Sequence, residues 1–87
     1  MFEKDKKLNN NQKYDQAFID AFSITKDKLN NNLIYESISE WDSVGHMSMI
    51  AALEESFNIS MEMDDIVDFS SYNVGKALLK KYKIKLK

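Results

Sequence analysis

The sequence predicts a small all-α domain, and three observations lead to that prediction. Proline is absent and glycine occurs only at Gly45 and Gly75, so the residues that punctuate turns in small β-proteins are scarce. Apolar residues make up 44% and charged residues 30% of the 87 residues, a balance typical of one folded globular domain. Apolar side chains also recur at helical spacing in three segments. We therefore expect a four-helix bundle with a long loop between helices 1 and 2 and a short helix 3.

The first helix is predicted from Asn11 to Ile24. At about 100° per residue its apolar side chains fall on one side of a helical wheel, with Ile19 the one large outlier; they are Tyr14, Ala17, Phe18, Ala21, Phe22 and Ile24. From Thr25 to Trp41 this periodicity dissolves, which indicates a long loop fixed to the core at intervals. A loop of this length in a small domain usually has a function.

The second helix, predicted from Ser43 to Phe57, is the most informative element. Asp42 is a good N-cap, because its carboxylate can accept a free N–H and oppose the helix dipole. One apolar stripe suits packing into a bundle: Met49, Ile50, Leu53 and Phe57. The opposite stripe, which we call the docking stripe, is flanked by Ser48 and Glu55 and consists of Val44, Met47 and Ala51. Since a domain this small cannot easily enclose both, the docking stripe predicts a surface for partners.

Two shorter segments complete the predicted bundle. Met63 to Phe69 is a short acidic helix at most, and Tyr72 to Tyr82 forms a last helix with Ser70 or Ser71 as its N-cap. The expected domain organisation is a polar extension over residues 1–10, a folded domain over residues 11–83 and a basic tail over residues 84–87.

Charge is divided sharply along the chain although the net charge is only -2. Between Leu29 and Gly75 there are nine acidic residues and no Lys or Arg, whereas residues 76–87 contain six Lys and no acid. This acidic centre argues against a nucleic-acid partner and favours partners with basic surfaces. The alternative is that these charged residues simply form solvent-exposed faces and bind no partner.

Composition also excludes several kinds of site. The chain has no cysteine, which rules out disulfides, thiolate metal sites and cysteine nucleophiles, and a single histidine, His46, leaves little for a His-rich metal site. No segment approaches the roughly 18 consecutive apolar residues of a membrane helix, and the polar N-terminus has no apolar signal core. We expect a cytoplasmic, monomeric protein without a metal or a membrane partner.

Ser43 lies at the start of the second helix, at the exit of the long loop. A phosphate ester on its hydroxyl would meet free backbone N–H groups and the positive end of the helix dipole. The alternative is that serine is simply a suitable residue for a first helical turn.

The run Glu-Trp-Asp-Ser-Val-Gly-His-Met at 40–47, with Leu-Glu-Glu-Ser-Phe at 53–57, resembles the acyl carrier protein family. The resemblance covers about Tyr14 to Tyr82 and implies an acyl-carrier type of bundle. It implies that Ser43 receives 4′-phosphopantetheine from coenzyme A. It also implies that Asp42 is the signature acid, close to the metal and phosphate when a phosphopantetheinyl transferase acts. The protein would then be a carrier of acyl or aminoacyl groups in a specialised pathway and no enzyme itself.

The same resemblance assigns partners to the second helix. The positions that match the family's recognition helix are Val44, Met47, Ser48, Ala51, Glu54 and Glu55. The implied partners are the transferase, an acyl- or aminoacyl-loading enzyme, and a downstream acyltransferase or synthase. Gly45 departs from the acidic or polar residue of many fatty-acid carriers, which removes a rim charge and costs about 1 kcal/mol of helix propensity.

Other interpretations remain open at this point. The chain could be a carrier-like interaction module that is never modified, or a hydrolase using Asp42, Ser43 and His46. A hydrolase would need an acid behind the imidazole and an oxyanion hole, whereas His46 lies on the packing stripe, where a hydrogen bond to the loop is expected. Trp41 is expected to close the loop end against the bundle. Four methionines could either form an adaptable interior that admits an acyl chain or pack in an ordinary hydrophobic core. They are Met47, Met49, Met61 and Met63.

Overall fold

The computed structural model describes residues 9–86. In this part of the chain it contains four α-helices: α1 (Asn10–Phe22), α2 (Ser43–Phe57), α3 (Met63–Asp68) and α4 (Tyr72–Leu79). Two 3₁₀ segments, Lys26–Lys28 and Lys80–Tyr82, lie in the long loop and after α4. Residues 9–86 contain no β-strand, so the all-α class is confirmed for them. Residues 1–8 of the predicted extension and Lys87 of the predicted tail lie outside the described residues.

Helix α1 begins one residue earlier and ends two residues earlier than predicted. Asn9 and Gln12 form a capping box, in which each side chain accepts the other residue's backbone N–H at 2.8 and 2.9 Å. Ser23 has a φ of 55°, and this left-handed conformation ends the helix after Phe22. Ile24 therefore packs on the core from outside the helix.

Helix α2 has the predicted bounds. A side-chain cap fixes its start, and a left-handed residue ends it. Asp42 caps the first turn by accepting the Gly45 N–H at 2.9 Å. Asn58 adopts the left-handed conformation that commonly ends helices. The start of α2 therefore follows from the same residue that the sequence singled out.

The core contains a cluster of six buried aromatic rings, three of them on α1. The ring of Phe18 contacts five others: Tyr14, Phe22, Trp41, Phe69 and Tyr72. Trp41 is fully buried and stacks on Phe22 with the ring centroids 5.1 Å apart. As expected, it closes the end of the long loop against the bundle. Each ring buried in this way stabilises the fold by about 1.5–3 kcal/mol before entropic costs.

The long loop is fastened to the start of α4. The Tyr35 N–H donates to the Ser70 carbonyl and the Tyr72 N–H donates to the Leu33 carbonyl, both at 2.9 Å. These bonds create an isolated antiparallel bridge between Ile34 and Ser71. Of the two serines predicted as N-cap, Ser71 fills the role and accepts the Val74 N–H.

Helix α3 is fastened to the C-terminal segment by three side chains, which we call the Asp65 cluster: Asp65, Lys81 and Tyr82. The Asp65 carboxylate is buried and accepts hydrogen bonds from the Lys81 ammonium, at 2.7 Å, and from the Tyr82 hydroxyl. The Tyr82 oxygen in turn accepts the Glu62 N–H at 2.9 Å. Beyond the cluster, Ile84 is buried in the core. The packed part of the domain therefore includes the first residue of the predicted tail, residues 84–87.

Candidate functional site

Ser43 is the first residue of α2, and its side chain is exposed. Asp42 precedes it in extended conformation and holds the helix start through the Gly45 N–H. The first N–H groups of a helix have no partners within the helix. An anionic group on the Ser43 hydroxyl would therefore meet backbone donors and the positive end of the dipole of a 15-residue helix.

Tyr35 is the side chain that the structure brings to Ser43, and sequence reasoning missed it. Its hydroxyl lies 3.2 Å from Ser43 Oγ, a hydrogen bond in which either atom can donate. The Tyr35 ring stands edge-on against the rings of Trp41 and His46, with interplanar angles of 86° and 85°. Because Tyr35 lies in a loop without periodicity, no pattern in the sequence pointed to it.

Gly45 lies where the loop crosses α2. A β-carbon on Gly45 would overlap the carbonyl oxygen of Glu40 and crowd the Phe22 ring. From the sequence, Gly45 is interpreted as the loss of a charge from the acidic rim of the docking stripe. In the structure the position faces the loop, and a longer side chain would collide with the Glu40 carbonyl before it reached that rim. Because position 45 is a glycine, the Glu40 carbonyl can approach the α2 backbone closely. This approach brings the loop against α2 next to the buried Trp41.

Both nitrogens of His46 are engaged by groups other than Ser43. Trp41 Nε1 donates to His46 Nδ1 at 2.9 Å, and His46 Nε2 lies 2.8 Å from the carbonyl oxygen of Ile66. Since an indole N–H can only donate, Nδ1 is the acceptor and Nε2 carries the proton. His46 thus joins the loop end to α3, as its place on the packing stripe suggested, and the structure does not assemble it with Ser43 as a hydrolase would require.

An apolar groove of about 360 Å³ lies between α2 and α3, with Ser43 among its lining residues. Other side chains of the lining are Tyr35, His46, Met47, Ile66, Val67 and Phe69. The four methionines considered above divide between core and surface: Met49 and Met61 are buried, whereas Met47 and Met63 are 51% and 69% exposed and line the groove. They do not form one common interior.

The two stripes of α2 separate as the helical wheel predicts. Met49, Ile50 and Leu53 are buried, whereas Val44 is 76% exposed and Ala51 and Ser48 are also exposed. Val67 on α3 is likewise exposed. The docking stripe is thus accessible, and its use by partner enzymes stays a prediction.

The two predicted rim acids differ in their surroundings. Glu55 is exposed. Glu54 is half-buried and accepts the Met61 N–H at 2.9 Å through Oε2. Its carboxylate therefore fastens the segment between α2 and α3, a structural contact that spacing along the helix did not indicate.

Two further observations concern other kinds of site. Within residues 9–86, no group of three or more histidine, aspartate and glutamate side chains is arranged to hold a metal ion. None of the helices in this same range has the length and apolar character needed to cross a bilayer.

Comparison of the chain with models of known protein families, with curated proteins and with solved structures gave no match. A function must therefore be inferred from the chain's own residues and their geometry.

Proposed function

We propose that the protein is a carrier that holds an acyl or aminoacyl group as a thioester on a 4′-phosphopantetheine arm attached to Ser43. The observation that carries this proposal is the place of Ser43, an exposed hydroxyl that opens a 15-residue helix beside an apolar groove. The order of four helices with a long first loop, and the Trp-Asp-Ser-Val-Gly-His run at 41–46, support an acyl-carrier type of bundle.

The residues around Ser43 fit a phosphodiester. The Tyr35 hydroxyl lies within hydrogen-bonding distance of Ser43 Oγ. The first turn of α2 also offers backbone N–H groups other than that of Gly45, which Asp42 already binds. The neighbours of Ser43 along the chain supply no cation, since no lysine or arginine occurs between Leu29 and Gly75; the helix start would stabilise the single negative charge. When attached, the arm supplies the thiol that this cysteine-free chain lacks.

The residues of the chain act mainly by presenting the serine. In the proposed modification, Ser43 Oγ bonds to the phosphorus of coenzyme A that bears the pantetheine. The phosphoanhydride bond breaks, adenosine 3′,5′-bisphosphate leaves, and the transferase takes up the hydroxyl proton. Asp42 keeps Ser43 at the helix start through its cap, and the resemblance to acyl carrier proteins implies that its carboxylate would lie close to the metal ion that the transferase supplies.

Partners are proposed to bind the docking stripe and its acidic rim. The stripe is exposed, and the acidic middle of the chain would attract basic enzyme surfaces. Such partners would be the transferase, a loading enzyme for an acyl or aminoacyl group, and a downstream acyltransferase or synthase. Because a carrier must leave each enzyme, a small interface with a charged rim suits the role. We propose a cytoplasmic monomer without catalytic activity of its own.

Intact mass tests the proposal directly. Purified apo-protein is incubated with coenzyme A and a broad-specificity phosphopantetheinyl transferase. We expect one added phosphopantetheine in the wild-type chain and none in Ser43→Ala. As a matched control, Ser56→Ala removes another exposed serine hydroxyl from the same helix and should be modified as the wild type is.

An unmodified wild-type chain, or an adduct that persists in Ser43→Ala, would contradict the carrier proposal. In that case the unmodified interaction module becomes the better hypothesis, because the exposed apolar side chains of α2 and α3 would still need a partner.

A further inference from the structure

The Tyr35 hydroxyl is held firmly at Ser43 by three sets of contacts. Its backbone N–H is bonded to the Ser70 carbonyl at 2.9 Å, next to the bridge between Ile34 and Ser71. Its ring packs edge-on against Trp41 and His46, with centroid distances of 6.4 and 5.7 Å. Backbone and ring are therefore fixed before the hydroxyl reaches Ser43 Oγ at 3.2 Å.

Asp42, although adjacent in sequence, does not take this role. Its Oδ1 accepts the Gly45 N–H and so serves the helix start. The imidazole of His46 is likewise committed to Trp41 and the Ile66 carbonyl. The hydroxyl of Tyr35 is the side-chain group that bonds to Ser43 Oγ, the atom on which the proposed modification occurs.

A phenol is suited to both states of the serine. While Ser43 is a free alcohol, the Tyr35 oxygen can accept a hydrogen bond from the serine O–H and thereby orient the Oγ lone pairs outward. Once Ser43 Oγ is an ester oxygen it has no proton, and the Tyr35 O–H can donate to an oxygen of the phosphodiester, a charge-assisted bond. A phenylalanine would keep the ring contacts and lose both bonds.

We propose that Tyr35 is a positioning residue for Ser43, holding the serine hydroxyl before modification and the phosphodiester afterwards. This inference rests on the proposed carrier function. Since Tyr35 and Ser43 both line the groove between α2 and α3, the bond also fixes the root of the arm at one end of that groove.

The test compares the full-length wild type with Tyr35→Phe in two measurements. In the transferase reaction, we expect kcat to fall about three- to tenfold, the loss of one hydrogen bond, and KM for the apo-protein to stay within about twofold. In ³¹P NMR of the modified proteins, the wild-type phosphodiester resonance should differ from that of the same protein unfolded in urea. The resonance of Tyr35→Phe should move toward the unfolded position.

Matched controls separate this role from an effect on folding. Ser39→Ala removes a hydroxyl from the same loop whose hydrogen bond is to Glu40, and it should leave kcat, KM and the ³¹P resonance unchanged. Circular dichroism and thermal unfolding of Tyr35→Phe should match the wild type. If Tyr35→Phe is modified at the wild-type rate, or if its ³¹P resonance is unchanged, the inference is overturned while the carrier function stands. A wild-type chain that accepts no phosphopantetheine would overturn both.

Discussion

At position 45 the fold requires a residue without a side chain. The Glu40 carbonyl occupies the space of a β-carbon there, and this contact lets Trp41 enter the core and Tyr35 reach Ser43. The glycine lies in the first turn of a helix, where its propensity is poor. The geometry of the candidate site is therefore obtained at the expense of local helix stability.

Gly45→Ala distinguishes these two effects, because they have opposite signs. Propensity alone would make alanine more stable by about 1 kcal/mol, whereas overlap with the loop should destabilise by about 1–3 kcal/mol. We expect a net loss, read as a lower urea midpoint with an unchanged m-value. Ser56→Ala, an exposed position on the same helix, should stay within about 0.5 kcal/mol of wild type. If the two variants are equally stable, the loop does not lie against Gly45.

Individual residues also show where sequence reasoning reaches its limit. Asp42, Ser43 and the two stripes of α2 could be predicted because caps and periodicity act within a few residues of the chain. Tyr35 and the contact at Gly45 could not be predicted. Both depend on how the loop folds back onto the start of α2, and the loop has no periodic pattern that indicates its path. Glu54 is a mixed case, since its place on the helix was predictable and its bond to the Met61 N–H was not.

Helix α3 has only six residues, too few to be stable alone in water. Two attachments hold it. The Asp65 cluster joins it to the segment after α4, and its Ile66 carbonyl meets His46 of α2. Because α3 contributes lining residues to the groove, these attachments also hold that part of the groove in place.

The protonation states of the Asp65 cluster set the pH range over which it stabilises the fold. Hydrogen bonds from Lys81 and then Tyr82 hold the pKa of the Asp65 carboxyl below its ordinary 3.8, and donating to the Asp65 carboxylate raises the pKa of Lys81 and of Tyr82. A lowered pKa in the folded state means that this stabilisation is complete above pH 3.8 and is lost as the pH falls through the lower folded value. At the alkaline end, stabilisation is complete below pH 10.0, the ordinary pKa of tyrosine, and is lost as the pH rises through the raised values.

Asp65→Asn should therefore destabilise the protein at neutral pH, and more than Asp64→Asn, which changes an exposed neighbour on the same helix. The measurement is thermal unfolding of the three proteins between pH 2 and pH 8. The difference in unfolding temperature between wild type and Asp65→Asn should be constant above about pH 4. Below that pH it should become smaller, because the Asp65 carboxylate is then protonated in the wild type. A gap that does not change with pH would mean that Asp65 acts through packing and not through its charge.

At the level of elements, the prediction was most accurate for α2. Its start was correct because Asp42 caps it, and its end was correct because the packing stripe stops at Phe57, where the left-handed Asn58 also ends the helix. The predicted end of α1 at Ile24 was wrong because apolar periodicity continues past the left-handed Ser23. The last predicted helix, Tyr72 to Tyr82, divides into α4 and a 3₁₀ segment, which carries the Lys81 and Tyr82 side chains that bind Asp65.

Over the whole molecule, charge is divided along the sequence into an acidic middle and a basic C-terminal segment, and the two meet where Lys81 pairs with Asp65. Away from that pair, exposed acids such as Glu55 on α2 can orient the molecule in the field of a charged partner before contact. In the carrier proposal, the acidic rim of α2 would be turned toward a basic enzyme during the approach. This effect should be strongest at low ionic strength.

Glu55→Lys tests this steering without disturbing the fold, because Glu55 is exposed. We expect slower modification by the transferase, through a raised KM, with the difference shrinking at high salt. Asp20→Lys makes the same change in net charge on α1, where Asp20 is exposed, and should have the smaller effect. Glu54→Lys should also lower the unfolding temperature, because it removes the acceptor of the Met61 N–H. Equal rates for wild type and Glu55→Lys at low salt would mean that this rim does not meet the enzyme.

The bridge between Ile34 and Ser71 joins two segments that are separated along the chain by all of α2 and α3. Contacts between such distant segments form late in folding, because the closure of the intervening chain costs entropy. The dipeptide Asp42-Ser43 exists in any conformation, but the backbone of Tyr35 is held by the Ser70 carbonyl only after this closure. A transferase that responds to Tyr35 would thus favour chains that have completed folding, and the modified fraction would serve as a chemical record of which newly made molecules had reached the native state.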